Sequence, residues 1–181
     1  AVKMWMARLY PTYHPNTCLI SNGLATMAFS LPGAFAAKLV HPERRVLAVM
    51  GDGAFAMSMA EIETAVREGV HIVVLVWVDG GYGLIGWKQD IHFGRQSAVS
   101  FGNPDFVRFA ESFGAKGYEI TAAADLLPAL ERLLLQCFGG LGHAIREAAI
   151  LVSQELSSLL PGLPRTAQRS NPARKRMGPR R

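Results

Sequence analysis

The chain has 181 residues, half of them hydrophobic and 18% charged, a composition that fits one globular domain with an ample core. No apolar run approaches the roughly 20 residues of a membrane span, and Ala1-Val2-Lys3 leading into Met4-Trp5-Met6 does not read as a signal peptide. Cys18 and Cys137 make neither a disulfide framework nor a metal spacing, so a reducing cytoplasmic setting is expected. The net charge of +5 belongs to the end of the chain. Residues 161–181 hold seven basic side chains and no acid, and removing those seven leaves −2 for residues 1–160. Neither nucleic acid nor a membrane is therefore an expected partner of the domain.

In chain order, Met4 to Tyr13 reads as a short amphipathic helix stopped by Pro11 and Pro15, and Asn16 to Ser21 as a short strand or extended lead-in. A helix is expected from about Ala25 to Val40, kinked or divided near Leu31 by Pro32. Val46-Leu47-Ala48-Val49-Met50 is a strand. The next helix begins near Met59, where Ser58 and Glu61 have the spacing of a capping box, and Gly69 ends it. Met59, Ile62 and Val66 form its buried stripe. The run Ile72-Val73-Val74-Leu75-Val76-Trp77-Val78 is a second strand.

Leu84 to Gln89 starts another helix, and Asp90 to Phe101 reads as a polar loop whose His92, Arg95 and Gln96 are solvated rather than ligand-bound. Pro104 is expected at the first position of a helix that Gly114 closes. Tyr118-Glu119-Ile120 is a short strand, and Ala123 to Gln136 a helix. Beyond that point Ile145, Ala148, Ala149, Val152, Leu156 and Leu159 recur at helical spacing, which predicts one amphipathic helix. Pro161 to Arg181 has a disordered composition. The expected organisation is thus a domain over residues 1–136 and a divergent tail over 137–181 that adds little to the core. His14, His41, His71 and His143 have no metal-ligand spacing.

Two strands with a helix between them make a parallel β-α-β unit, and each strand here ends in a carboxylate set among glycines. Asp52 follows the first in Gly51-Asp52-Gly53, and Asp79 follows the second in Asp79-Gly80-Gly81-Tyr82. Open α/β sheets bind ligands at the carboxyl ends of their strands. Two carboxylates there repel each other unless a cation lies between them, and a hard ion such as Mg²⁺ prefers oxygen ligands. Glycines allow close backbone approach and positive φ, so a Mg²⁺-diphosphate site is one reading. Two ordinary Asp-Gly turns are the other.

The wider stretch carries a family resemblance. Asp52 to Asp79 spans 27 positions, and Gly51-Asp52-Gly53 with the Val78-Asp79 ending resembles the thiamine-diphosphate motif. Glu61 to Arg67, Ile20-Ser21-Asn22-Gly23 with Thr26-Met27, Tyr82-Gly83-Leu84-Ile85 and Phe109 to Ala115 are similar to the same family. Trp77 to Tyr82 is similar to its acetolactate synthase branch. The resemblance runs from about Met4 to Gln136 and stops at Cys137. It implies the thiamine-diphosphate-binding fold, α/β, a three-layer open parallel sheet with helices on both faces. That fold is expected to lack its first strand, which would precede Ala1, and its last.

The resemblance also implies roles. Asp52, Asp79 and the Gly81 carbonyl would hold Mg²⁺, and the N–H groups of Gly53, Ala54 and Tyr82 the diphosphate. Met27, which composition alone assigns to the core, would wedge beneath thiamine, and the Ala25 carbonyl would accept from its aminopyrimidine. The glutamate that activates the cofactor would lie in the amino-terminal domain of a neighbouring subunit, so no catalytic residue is expected in this chain. Glu61 reads as a cap, not as that group. The implied activity is joining two pyruvates into 2-acetolactate with loss of CO₂, within a homo-oligomer. Another 2-oxo acid decarboxylase or carboligase, or a non-catalytic cofactor-binding fragment, are the alternatives, and a flavin (FAD) requirement stays open.

Overall fold

The two apolar runs that precede Asp52 and Asp79 pair as parallel neighbours. In the computed structural model, which describes residues 2–136 and 149–153, β1 (Leu47–Gly51) and β2 (Val73–Trp77) share a register from Leu47↔Val73 to Gly51↔Trp77. With β3 (Lys116–Ile120) and β4 (Ala149–Ser153) they form an all-parallel sheet of order β1-β2-β4-β3.

Side chains alternate across the pleat and divide the core into two layers. Ala48 and Met50 of β1 and Val74 and Val76 of β2 pack with α2 (Ser30–Val40), α3 (Asp52–Ala56), α4 (Glu61–Arg67) and α6 (Phe106–Ser112). Val73 and Leu75 turn the other way, toward Ala129 and Leu133 of α7 (Ala123–Gln136). Helices therefore cover both faces, as expected. On the first face Phe55, fully buried, meets the rings of Phe106 and Phe109 edge-on at 5.1 and 6.4 Å. That aromatic cluster fixes α3 against α6.

β4 is the main correction. Residues 149–153 form a strand between β2 and β3, where a helix was expected, so the sheet has the later strand that the sequence reading omitted. Ala149-Ile150-Leu151-Val152-Ser153 is a short apolar run with two β-branched residues, and periodicity alone does not separate such a strand from a helix. The slot between β2 and β3 decides it, because a strand there satisfies the backbone groups of both neighbours. The rest of the expected helix and the basic stretch 161–181 lie outside the described residues.

Smaller differences follow local chemistry. α1 spans Val2–Leu9, ending before Pro11, and residues 16–21 form no strand. The helix expected from Ala25 is divided into a 3-10 turn, Met27–Phe29, and α2, with Pro32 in the first turn of α2, where no N–H is needed. α3 starts directly at Asp52, a helix the sequence reading did not expect. No capping box forms: Ser58 Oγ is buried without a partner among the described residues, and the Glu61 N–H donates to the Ser58 carbonyl instead. Gly69 does end α4, with φ +62°. α5 (Gly83–Phe93) runs past Gln89 to Gly94, whose φ of +62° closes it. Pro104 precedes α6 by two residues rather than opening it; Asp105 is the cap, accepting from the Arg108 N–H at 3.0 Å.

Two variants test this architecture. Leu151→Pro removes a ladder donor from a strand paired on both sides, so it should lower the urea midpoint well beyond any effect of an exposed-loop proline. Phe55→Ala should cost about 3–5 kcal/mol, the usual range for emptying an aromatic core site. Equilibrium unfolding followed by circular dichroism measures both, and a midpoint unchanged by Leu151→Pro would mean that β4 is not a core strand.

Candidate functional site

Strand register places the two acids. Asp52 is the residue after β1 and Asp79 lies two beyond β2, so adjacent parallel strands deliver both to one sheet edge. Asp52 is 1% exposed. Its Oδ1 accepts from the Gly53 N–H at 2.8 Å. Its Oδ2 accepts from the Gly80 N–H at 2.8 Å, the Asp79 N–H at 3.3 Å and Asn103 Nδ2 at 2.8 Å. Gly80 has φ +69°, and that left-handed turn aims its N–H back at Asp52.

Asp79 sits at the rim and is exposed, where Asp52 is buried. Its carboxyl is pushed up to about 6: first by desolvation, then by the Asp52 charge and a hydrogen bond with the Asp52 carboxyl. The Gly81 N–H opposes this by donating to it. The pair is the arrangement that a divalent cation relieves, since the metal replaces repulsion between two oxygens with attraction to both. No group of three or more His, Cys, Asp or Glu side chains that could hold a metal occurs among the described residues. Carbonyl, water and phosphate oxygens are the ligands that Mg²⁺ accepts beside such a carboxylate pair. The donor set therefore fits Mg²⁺.

The loop after α5 reshapes the other expected contacts. Residues 99–101 run antiparallel to residues 80–82, through a bridge between Gly81 and Ser100. The Tyr82 N–H donates to the Val99 carbonyl at 2.8 Å, so it is engaged within the protein and does not offer the diphosphate contact expected of it. The Phe101 N–H donates to the Gly80 carbonyl at 3.1 Å. The glycines answer to this packing. A Cβ on Gly53 would lie 2.8 Å from the Tyr82 ring and 3.0 Å from the Phe101 ring, and one on Gly81 would lie 2.9 Å from the Val99 carbonyl. Of Gly51, Gly53, Gly80 and Gly81, only Gly80 has positive φ.

The remaining expected residues are distributed as follows. Gly53 and Ala54 are buried in the first turn of α3. Met27 opens the 3-10 turn packed beside α3 and is 40% exposed, so it is not the core residue that composition suggests. Ala25 is exposed and held at φ +51°, a strained value for a residue with a Cβ. His92 and Arg95 are exposed, and the Gln96 amide is turned back onto Asp90. Asn103 was missed: it stands 51 positions from Asp52, with no local signal to join them.

Comparison with known proteins decides the family. The domain described as "Thiamine pyrophosphate enzyme, C-terminal TPP binding domain" matches residues 1–141. The chain belongs to the thiamine pyrophosphate enzyme family. Within this family, acetolactate synthase of Bacillus subtilis is 43% identical over 129 residues, covering 71% of this chain and 23% of that protein. The catabolic acetolactate synthase of Raoultella terrigena is 42% identical over 127 residues, covering 70% and 23%. This chain is thus similar to the carboxyl-terminal domain of acetolactate synthases and spans about a quarter of such relatives. The solved structure of a Rhodococcus jostii thiamine diphosphate-dependent 4-hydroxybenzoylformate decarboxylase superposes with TM-score 0.61 at 24% identity, covering 71% of this chain and 23% of that one. That likeness supports the fold. No helix among the described residues is long and apolar enough to cross a membrane.

The raised Asp79 carboxyl gives this thiamine pyrophosphate-type domain a pH signature. In the metal-free chain the folded state holds the Asp79 proton up to about 6, against 3.8 for the free group. Folded protein therefore binds more protons than unfolded between those values, and the Asp79 contribution to stability falls as pH rises through that window. Asp79→Asn should remove this fall and be more stable than the parent at pH 7 in the presence of a chelator. Urea midpoints of both proteins at pH 5 and pH 7 measure it, and equal slopes would refute the assignment.

Proposed function

We propose that this chain forms the cation- and diphosphate-holding half of a thiamine diphosphate site in an acetolactate synthase-like enzyme, which condenses two pyruvates to 2-acetolactate with release of CO₂. The observation that carries this reading is the convergence of Asp52 and Asp79 at adjacent parallel strand ends. In this reading Asp52, Asp79 and the Gly81 carbonyl hold Mg²⁺. That carbonyl accepts from no backbone N–H among the described residues, which leaves it open to a cation. Ala54 lies along the diphosphate beside Gly53, whose own N–H is engaged by Asp52 Oδ1, while Ala25 and Met27 serve the thiamine moiety by family resemblance. Packing of the Met27 turn beside α3 supports their common placement.

When bound, thiamine diphosphate supplies the carbanion chemistry by which a 2-oxo acid loses CO₂. The residues of this chain bind and orient. Asp52, held by N–H groups from three segments, keeps its charge fixed where a cation is needed. Proton transfer at the aminopyrimidine falls to a glutamate from the amino-terminal domain of a neighbouring subunit, so the active form is an oligomer of a longer chain. Similarity to acetolactate synthases supports this choice of substrate, and branched-chain amino acid or acetoin metabolism is the setting proposed for it.

Calorimetry with thiamine diphosphate, with and without Mg²⁺, tests the binding half. Weak binding that requires Mg²⁺ and is abolished by Asp79→Ala is expected; binding indifferent to both would end the reading. Product analysis from pyruvate tests the rest. Negligible acetolactate is expected from the 181-residue chain alone, because general acid-base assistance is worth about 10²–10⁴-fold. Supplying an amino-terminal domain with the glutamate should restore it. Robust turnover by the chain alone would refute the division of labour, and acetaldehyde as product would point to a decarboxylase.

A further inference from the structure

The Asp52 carboxylate receives its donors unequally. Oδ1 has one, the Gly53 N–H, while Oδ2 has three, from Gly80, Asp79 and Asn103. A carboxylate oxygen offers two lone pairs, so N–H donors alone fill Oδ2 and take only one position on Oδ1, and the Asp79 carboxyl is the remaining partner of Asp52. Two of the Oδ2 donors are backbone groups fixed by the turn after β2. The third comes from the side chain of Asn103, 51 positions along the chain.

Asn103 does nothing else of the kind expected at its position. An asparagine shortly before a helix ordinarily accepts a backbone N–H through Oδ1, as a cap or turn. Here Asp105 is the cap of α6. Asn103 Oδ1 is buried and has no partner among the described residues. The side chain therefore tolerates an unsatisfied acceptor while its Nδ2 reaches Asp52. The core holds it there: Phe55, three residues after Asp52, packs edge-on against Phe106, three residues after Asn103, at 5.1 Å.

Resting on the Mg²⁺-diphosphate reading above, we propose that Asn103 is a positioning residue for Asp52. Its amide secures Oδ2 and so leaves Oδ1 as the oxygen presented to the divalent cation. The role acts through Asp52; Asn103 is not itself a ligand. It predicts a discrimination that general loosening would not produce. Mg²⁺ demands near-ideal octahedral geometry, whereas Ca²⁺ accepts irregular and larger shells. A carboxylate free to rotate should therefore lose Mg²⁺ more than Ca²⁺.

The test titrates Mg²⁺ and, separately, Ca²⁺ into the full chain with thiamine diphosphate present, followed by calorimetry. Asn103→Leu is close to isosteric and removes the donor; Asn103→Ala removes it with no added bulk and serves if the leucine variant does not fold. The Mg²⁺ requirement should rise about tenfold or more, as for loss of a hydrogen bond to a charged group, with a clearly smaller change for Ca²⁺. A folded variant with the parent's Mg²⁺ requirement, or with equal losses for both ions, overturns the proposal and leaves the cofactor reading intact. Absence of cation-dependent binding in the parent chain itself overturns both.

Discussion

A carboxylate shut away from water is the constraint around which this domain is arranged. Asp52 is 1% exposed, and a charge so placed is costly unless hydrogen bonds replace its hydration. The replacements come from the first turn of α3, the turn after β2 and the loop before α6. Those segments are distant in sequence and must all be in place at once. The pleat of β1 and β2, the Gly80 turn and the Phe55–Phe106 contact are the means by which they arrive. Asp79 shows the other side of the same constraint. With the nearest donors given to Asp52, it stands at the rim and holds its proton to about 6.

Much of this was legible because it is local. The runs before Asp52 and Asp79 are apolar, β-rich and separated by one helix, which dictates parallel neighbours with both acids at the same edge. Gly69 and Gly114 announce helix ends, and both adopt positive φ. What the sequence hid depends on distant partners. Ala149 to Ser153 has no periodicity that distinguishes strand from helix, and only the slot between β2 and β3 settles it. The Tyr82 N–H looked free because its acceptor, Val99, lies in a stretch that reads as polar loop. Asn103 and Asp52 are joined by tertiary packing alone.

The glycines carry a related lesson. A Gly-Asp-Gly turn followed by Gly-Gly invites a ligand-based account of every glycine. Here Gly53 makes room for the Tyr82 and Phe101 rings, and Gly81 for the Val99 carbonyl. Sequence motif and internal packing thus make the same demand for a missing Cβ, and only geometry tells them apart. The carboxylates, and not the glycines, are consequently what distinguishes the site.

The strand order β1-β2-β4-β3 also sets a timetable for biosynthesis. β4 is the latest in sequence of the four, yet it occupies an inner lane of the sheet. Until residues 149–153 have left the ribosome, one edge of β2 lies open and β3 has no parallel neighbour among the described residues. Unpaired apolar edges are templates for other chains, and domains that must await distant partners expose such surfaces for longest. A nascent chain of this protein therefore spends its synthesis with the sheet open in the middle, the stage at which a chaperone has most to protect.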